Sequence, residues 1–179
     1  MAHLQQQQYI QSVKERFPKY FIDSHVLDIG SLDVNGNNRI YFTNCNYLGI
    51  DIASGNNVDI VSTGHEYKSE KLYDTIISTE CFEHDKFYPL TLKNCINLLK
   101  PGGMFVFTCA TTGRPEHGTQ RTSPQSSPLT VQIEDWKDYY KNLTEKDIRE
   151  VLEIDLIFCS YEFVIGHETC DLYFYGIKK

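Results

Sequence analysis

Apolar runs at residues 25–30, 47–52, 58–61, 73–79 and 104–110 recur along the chain, separated by polar or helix-like stretches. Successive strands joined by crossovers rather than tight turns pair in parallel, so this alternation constrains the fold to a doubly wound α/β sheet. The last run, Met104-Phe105-Val106-Phe107-Thr108, is apolar on both faces. Such a strand reads as a central one, covered by helices on each side.

Flanking segments complete the architecture. Leu4, Tyr9, Ile10, Val13 and Phe17 fall at spacings that form one helical stripe, and Pro18 stops it, so a helix precedes the sheet. Residues 88–99 predict a second helix, with Leu92, Cys95, Ile96 and Leu99 on one face and Lys100-Pro101-Gly102-Gly103 as its end. Thr144 and Asp147 form an acidic variant of a capping box ahead of Ile148, Val151 and Leu152. Two β-rich runs, 156–165 and 170–177, flank Gly166-His167-Glu168-Thr169. That connection is too short for a parallel crossover and predicts an antiparallel hairpin at one sheet edge.

The strand ends carry the chemistry. The first reads Val26-Leu27-Asp28-Ile29-Gly30-Ser31. A carboxylate inside an apolar strand needs a partner, and a glycine at the turn lets a ligand approach the backbone beyond the carboxyl edge. The second strand ends Gly49-Ile50-Asp51-Ile52, which sets Asp51 about 20 residues after the glycine, where a carboxylate accepts both hydroxyls of a ribose. Either aspartate alone reads equally well as a strand-end residue; together they indicate a nucleoside cofactor.

The first loop narrows the choice. Dinucleotide enzymes use Gly-x-Gly-x-x-Gly so that backbone amides hold a pyrophosphate. Here the loop runs Gly30-Ser31-Leu32-Asp33-Val34-Asn35-Gly36. Asp33 repels a pyrophosphate, whereas Asp28 and Asp33 suit the ammonium and sulfonium of S-adenosylmethionine, which has no phosphate. A nicotinamide-dependent oxidoreductase is thereby disfavoured.

With these residues in place, the chain resembles the class I S-adenosylmethionine-dependent methyltransferases, over residues 26–110. Further matches are Tyr73-Asp74-Thr75-Ile76-Ile77-Ser78-Thr79-Glu80-Cys81-Phe82-Glu83-His84 and Leu98-Leu99-Lys100-Pro101-Gly102-Gly103. The resemblance implies a Rossmann-like, mostly parallel seven-stranded sheet ending in an antiparallel hairpin, an α/β/α sandwich, with S-adenosylhomocysteine as product. By position it assigns Asp28, Gly30 and Ser31 to the methionine end, Asp51 to the ribose and Ile52 to the adenine face. Ser78, Thr79 and Glu80 then border the methyl donor. Thr63 stands where the family often has an acidic residue for the adenine amino group, which leaves Gly64 and His65 for that task. A methyltransferase-like domain that binds cofactor or a partner protein without turnover is the alternative.

An acceptor hydroxyl needs a positioned proton acceptor, and His84 and His117 are the candidates. Residues 110–143 form a long segment without clear periodicity, after the fifth strand at the carboxyl edge, and this insert is expected to act as a substrate lid. Within it, Arg114 can hold an anion, while Trp136, Tyr139 and Tyr140 can stack on a planar or sugar acceptor. The expected organisation is a single methyltransferase domain over 1–179, with residues 1–22 as an N-terminal helical segment. No length remains for a separate substrate domain, so specificity falls to the N-terminal helix, the insert or a second subunit in a homodimer.

Composition excludes other classes. Lys and Arg number 17 against 24 Asp and Glu, and a net charge of -7 works against nucleic acid as the partner. A small-molecule acceptor, such as a sugar or other metabolite hydroxyl, is expected instead. The six cysteines form no CxxC pair and fit a reducing cytoplasm. No signal-peptide pattern or membrane-length apolar run is visible. The histidines show no HxxxH spacing, so no metal is expected. A serine hydrolase lacks its Gly-x-Ser-x-Gly elbow.

Overall fold

A computed structural model describes residues 3–179. Seven strands form one sheet: β1 (His25–Ile29), β2 (Asn46–Asp51), β3 (Ile60–Val61), β4 (Tyr73–Thr79), β5 (Leu99–Ala110), β6 (Phe158–Gly166) and β7 (Asp171–Lys178). Their order is β3-β2-β1-β4-β5-β7-β6. The first five are parallel, and β7 runs antiparallel between β5 and β6. The sheet is thus the expected seven-stranded, mostly parallel one with its hairpin at an edge.

The period of two along each strand divides the core. Val26, Ile77, Met104, Val106 and Tyr175 point to one face, where they meet Ile10 and Val13 of helix α1 (Leu4–Arg16). Leu27, Ile76, Phe105, Phe107 and Phe174 point to the other. There they pack on Leu92 and Cys95 of α2 (Tyr88–Leu98) and Ile148 of α3 (Glu145–Val151). Burial of both β5 faces explains its unbroken apolar sequence. The capping box at Thr144 forms, with the Asp147 amide donating to Thr144 Oγ1 and the Thr144 amide to Asp147 Oδ2.

Four details depart from the sequence reading. Among the described residues the β1 to β2 connection holds only a 3-10 turn, Asn38–Tyr41, instead of a crossover helix. The α1 helix covers that face in its place, with Tyr41 donating to Gln7 O at 3.3 Å. Leu4 lies outside the packed stripe and is exposed, whereas Gln6 is buried. Lys100-Pro101-Gly102-Gly103 is a bulge inside β5, where pairing jumps from Tyr73↔Leu99 to Thr75↔Met104. Leu156 and Ile157 belong to the one-turn helix α4 (Ile154–Ile157), because their amides close onto Glu153 O before β6 begins. Among the described residues no helix is long and apolar enough to cross a membrane.

Candidate functional site

The carboxyl ends of β1 to β4 open into a cavity with about 900 Å³ of empty space, open solvent at its mouth included. Asp28, Gly30 and Ser31 line it from β1 and its turn, and Asp51 and Ile52 from β2. Thr63 and Gly64 follow β3; Thr79, Glu80 and His84 come from the end of β4 and the turn beyond. Ser126, Ser127, Pro128, Leu129, Thr130 and Trp136 of the insert form the far wall.

Backbone geometry explains the first turn. The amides of Gly30 and Ser31 both donate to Ile50 O at 3.0 Å, which bends the chain back toward β2. Gly30 has φ of 76°, and a Cβ there would lie 2.4 Å from Cys81 Sγ. Only glycine permits both the positive φ and the close approach of the β4 turn.

Asp28 is 1% exposed. Tyr47 Oη donates to it at 2.5 Å and Asn38 Nδ2 at 3.2 Å. Burial outweighs these bonds and pushes its pKa up to about 7. Asp51 is held by the amides of Leu32 at 3.0 Å and Ile52 at 2.7 Å, with burial again raising its pKa. Both carboxylates therefore have fixed orientation before any ligand arrives. Glu80 adopts φ of 53°, and Thr108 Oγ1 donates to its Oε1 at 2.8 Å. Among the described residues its Oε2 is buried without a hydrogen bond and lies 4.0 Å from His3 Nε2. Burial also raises the Glu80 pKa.

Asp33 departs from expectation. It lies outside the cavity lining, and its carboxylate closes its own loop by accepting from the Gly36 amide at 2.8 Å and Asn37 Nδ2 at 2.7 Å. Of the two acidic groups expected to face a cation, Asp28 alone borders the cavity. Ser78 is likewise outside, donating to Ile29 O at 2.8 Å and tying β4 to β1. His65 packs on Phe87 with ring centroids 4.4 Å apart, which leaves Ser62, Thr63 and Gly64 as the lining after β3.

The two candidate proton acceptors separate. His84 borders the cavity, and burial holds its pKa well below the usual histidine range, so the ring is neutral. His117 stands behind it, edge-on at 5.1 Å. Tyr140 packs on both imidazoles, and Tyr139 is also absent from the lining. Arg114 is engaged elsewhere, donating to Thr169 O at 2.6 Å and lying 3.5 Å from Asp171. It fastens the insert to β7. Trp136 is the one expected acceptor contact that reaches the cavity, braced edge-on by Phe87 at 5.8 Å.

Sequence reading missed Asn38, which bridges Asp28 and Thr79 Oγ1 by donating at 3.2 and 3.0 Å. A polar residue in an irregular loop carries no periodic signal. It also missed the wall at residues 126–130, whose Ser, Pro and Thr content resembles any surface loop.

Carboxylates at the ends of adjacent parallel strands, a glycine turn between them and a hairpin closing the sheet define the Rossmann-like methyltransferase fold. The chain belongs to the methyltransferase domain family, whose sequence pattern matches residues 1–143. Solved structures share this fold. The 1,6-didemethyltoxoflavin-N1-methyltransferase of Burkholderia thailandensis, with 1,6-didemethyltoxoflavin and S-adenosylhomocysteine bound, is 13% identical at a TM-score of 0.61, over 100% of this chain and 92% of that one. The N-methyltransferase NodS of Bradyrhizobium japonicum WM9, with S-adenosylhomocysteine, gives 0.61 at 13% identity over 96% and 86%. Phosphoethanolamine N-methyltransferase 2 of Haemonchus contortus, with S-adenosyl-L-methionine, gives 0.64 at 15% identity over 96% and 52%. No curated protein sequence matches the chain.

Proposed function

We propose that the chain, as one domain, transfers a methyl group from S-adenosylmethionine to a small-molecule acceptor held between the β4 turn and the insert. The observation that carries this reading is the pair Asp28 and Asp51, fixed at adjacent strand ends on one cavity that lacks a pyrophosphate loop. Asp28, on the cavity lining, also fits a cationic ligand, whereas Glu80 Oε2 lies 4.0 Å from His3 Nε2.

S-adenosylmethionine would supply an electrophilic methyl group whose bond to sulfur breaks as a neutral thioether leaves. Asp51 receives the ribose hydroxyls, Ile52, Thr63 and Gly64 border the base, and Asp28, Gly30 and Ser31 orient the methionine end. Thr79, Glu80 and His84 flank the methyl group, and Trp136 with residues 126–130 covers the acceptor. The protein's contribution is orientation and exclusion of water. The names of the three solved structures described above, all N-methyltransferases, support counting nitrogen acceptors beside hydroxyls as candidates.

Calorimetry with S-adenosylhomocysteine and with NAD tests the cofactor. The first is expected to bind with one-to-one stoichiometry and NAD to give no heat; the reverse would sink the reading. A labelled-methyl screen over amines, hydroxyls and carboxylates then tests turnover. Binding with complete silence in that screen would favour a domain that holds the cofactor without transferring its methyl group.

Cofactor affinity should also depend on pH through Asp28. Its folded pKa of about 7 lies above the ordinary aspartate value near 4. Its stabilising contribution is therefore full below about pH 4 and is lost as pH rises through about 7. An ammonium beside it reverses that preference by favouring the ionised form. S-adenosylhomocysteine affinity is expected to rise toward pH 7 and level off above, with proton release at about pH 6. Calorimetry in buffers of different ionisation heat measures that proton. Asp28→Asn should abolish both effects, and an identical profile in the variant would show that Asp28 does not face the cation.

A further inference from the structure

At the cavity wall and behind it lie three polar side chains, Glu83, His84 and His117, of which the methyl-transfer reading uses His84 alone. Glu83 is fully buried, and among the described residues neither carboxylate oxygen has a hydrogen bond. Among the described residues, His84, 4% exposed, has both ring nitrogens unpartnered, and His117 Nε2 is buried and unpartnered as well. One ligand atom from each of the three lies within 4.8 Å of the others. Buried carboxylates and imidazoles without partners are costly, and native proteins rarely retain several in contact unless something joins them.

The tautomer of His117 indicates what that is. Its Nδ1 lies 3.0 Å from Pro115 O, which can only accept, so the ring proton sits on Nδ1. That leaves the Nε2 lone pair, buried and without a hydrogen-bond partner among the described residues, as the free ligand atom of His117. A histidine that donates one nitrogen to a backbone carbonyl and offers the other is the usual outer support of a metal ligand. The rings are also held in place. Tyr140 packs on both, at 5.6 and 5.0 Å, and a Cβ on Gly118 would come within 2.5 Å of His84 Cε1.

We propose that Glu83, His84 and His117 bind a divalent ion of the zinc class, which fastens the insert to the turn after β4. Two imidazoles and one carboxylate suit such an ion, whereas magnesium and calcium take oxygen ligands. His117 belongs to the same segment as the cavity wall at 126–130, so the ion fixes that wall against His84. The sequence hides this set because His117 is distant in the chain and Glu83 and His84 are adjacent. Ion binding itself stands apart from the methyl-transfer reading; only its effect on turnover rests on that reading.

The test uses the full chain, stripped with a chelator and titrated with zinc against a chromophoric competitor. One equivalent is expected to bind and to raise the thermal midpoint, and cobalt in its place should give visible bands of a low-coordinate nitrogen and oxygen site. Glu83→Gln and His117→Asn should each weaken zinc binding about 100-fold, while S-adenosylhomocysteine binding by the same samples reports that they are folded. Absence of stoichiometric zinc binding to the parent chain would overturn the proposal, as would unchanged affinity in both variants, which would put the ion elsewhere. Zinc binding without S-adenosylhomocysteine binding by the parent chain would instead refute the methyl-transfer reading and leave the ion site standing.

Discussion

Asp51→Ala is expected to weaken S-adenosylhomocysteine binding about 100-fold or more. A ribose diol gives the carboxylate two charge-assisted hydrogen bonds of roughly 1.5 to 3 kcal/mol each, and even the lower figure doubled reaches that factor. The geometry favours the full effect. Asp51 is already oriented by the Leu32 and Ile52 amides, so little ordering accompanies binding. Those amides border an open cavity, and water can replace the lost carboxylate, which limits the change in folding stability to about 1 kcal/mol. Calorimetry and urea unfolding of the same preparation separate the two effects. Asp51→Asn, which keeps the shape and one acceptor oxygen, should fall between the alanine variant and the parent. Unchanged affinity in Asp51→Ala would remove the ribose assignment and with it the main support for the cofactor.

Trp136→Ala is expected to lower kcat/KM for the acceptor about 30-fold while leaving S-adenosylhomocysteine affinity within about 2-fold. The ring is partly exposed to the cavity and braced by Phe87 at 5.8 Å and by Lys86 Nζ, 5.7 Å from its centroid. Removing an aromatic that stacks on a bound ligand costs about 2 kcal/mol, whereas the edge-on contact with Phe87 accounts for only about 0.5 to 1.5 kcal/mol of stability. The site of loss is therefore diagnostic. Equal losses in cofactor and acceptor binding would reassign Trp136 to the cofactor, and a change in stability alone would make it a packing residue. A point variant is the sharper probe than excising residues 110–143. Leu143 sits in the core with its amide on Ala110 O, and Arg114 ties the segment to β7. Excision would damage the sheet before it informed on the acceptor.

The legible part of the site is the part encoded by local pattern. Asp28, Gly30 and Asp51 could be read because a polar residue or a glycine interrupts an apolar strand at its end, and parallel topology brings such ends together. Asp33 looked like one of them and was not. Its side chain found donors at the Gly36 amide and Asn37 within its own loop, a contact decided by the path of that loop. Arg114 was misread as an acceptor contact for the same reason. Its partners, Thr169 and Asp171, are far along the chain, and their proximity follows only from the β5 to β7 pairing.

By itself, the sequence determined the layered architecture, the parallel order of the strand ends and the two carboxylates on the crevice. Each follows from periodicities of two or 3.6 residues, or from a single residue at odds with them. Tertiary structure alone decided that α1 replaces the missing crossover helix, that the insert reaches the cavity through residues 126–130 and Trp136, and that His117 meets Glu83 and His84. These are contacts between irregular segments distant in the chain. Their geometry is fixed by the packing of the whole sheet, which no local spacing encodes.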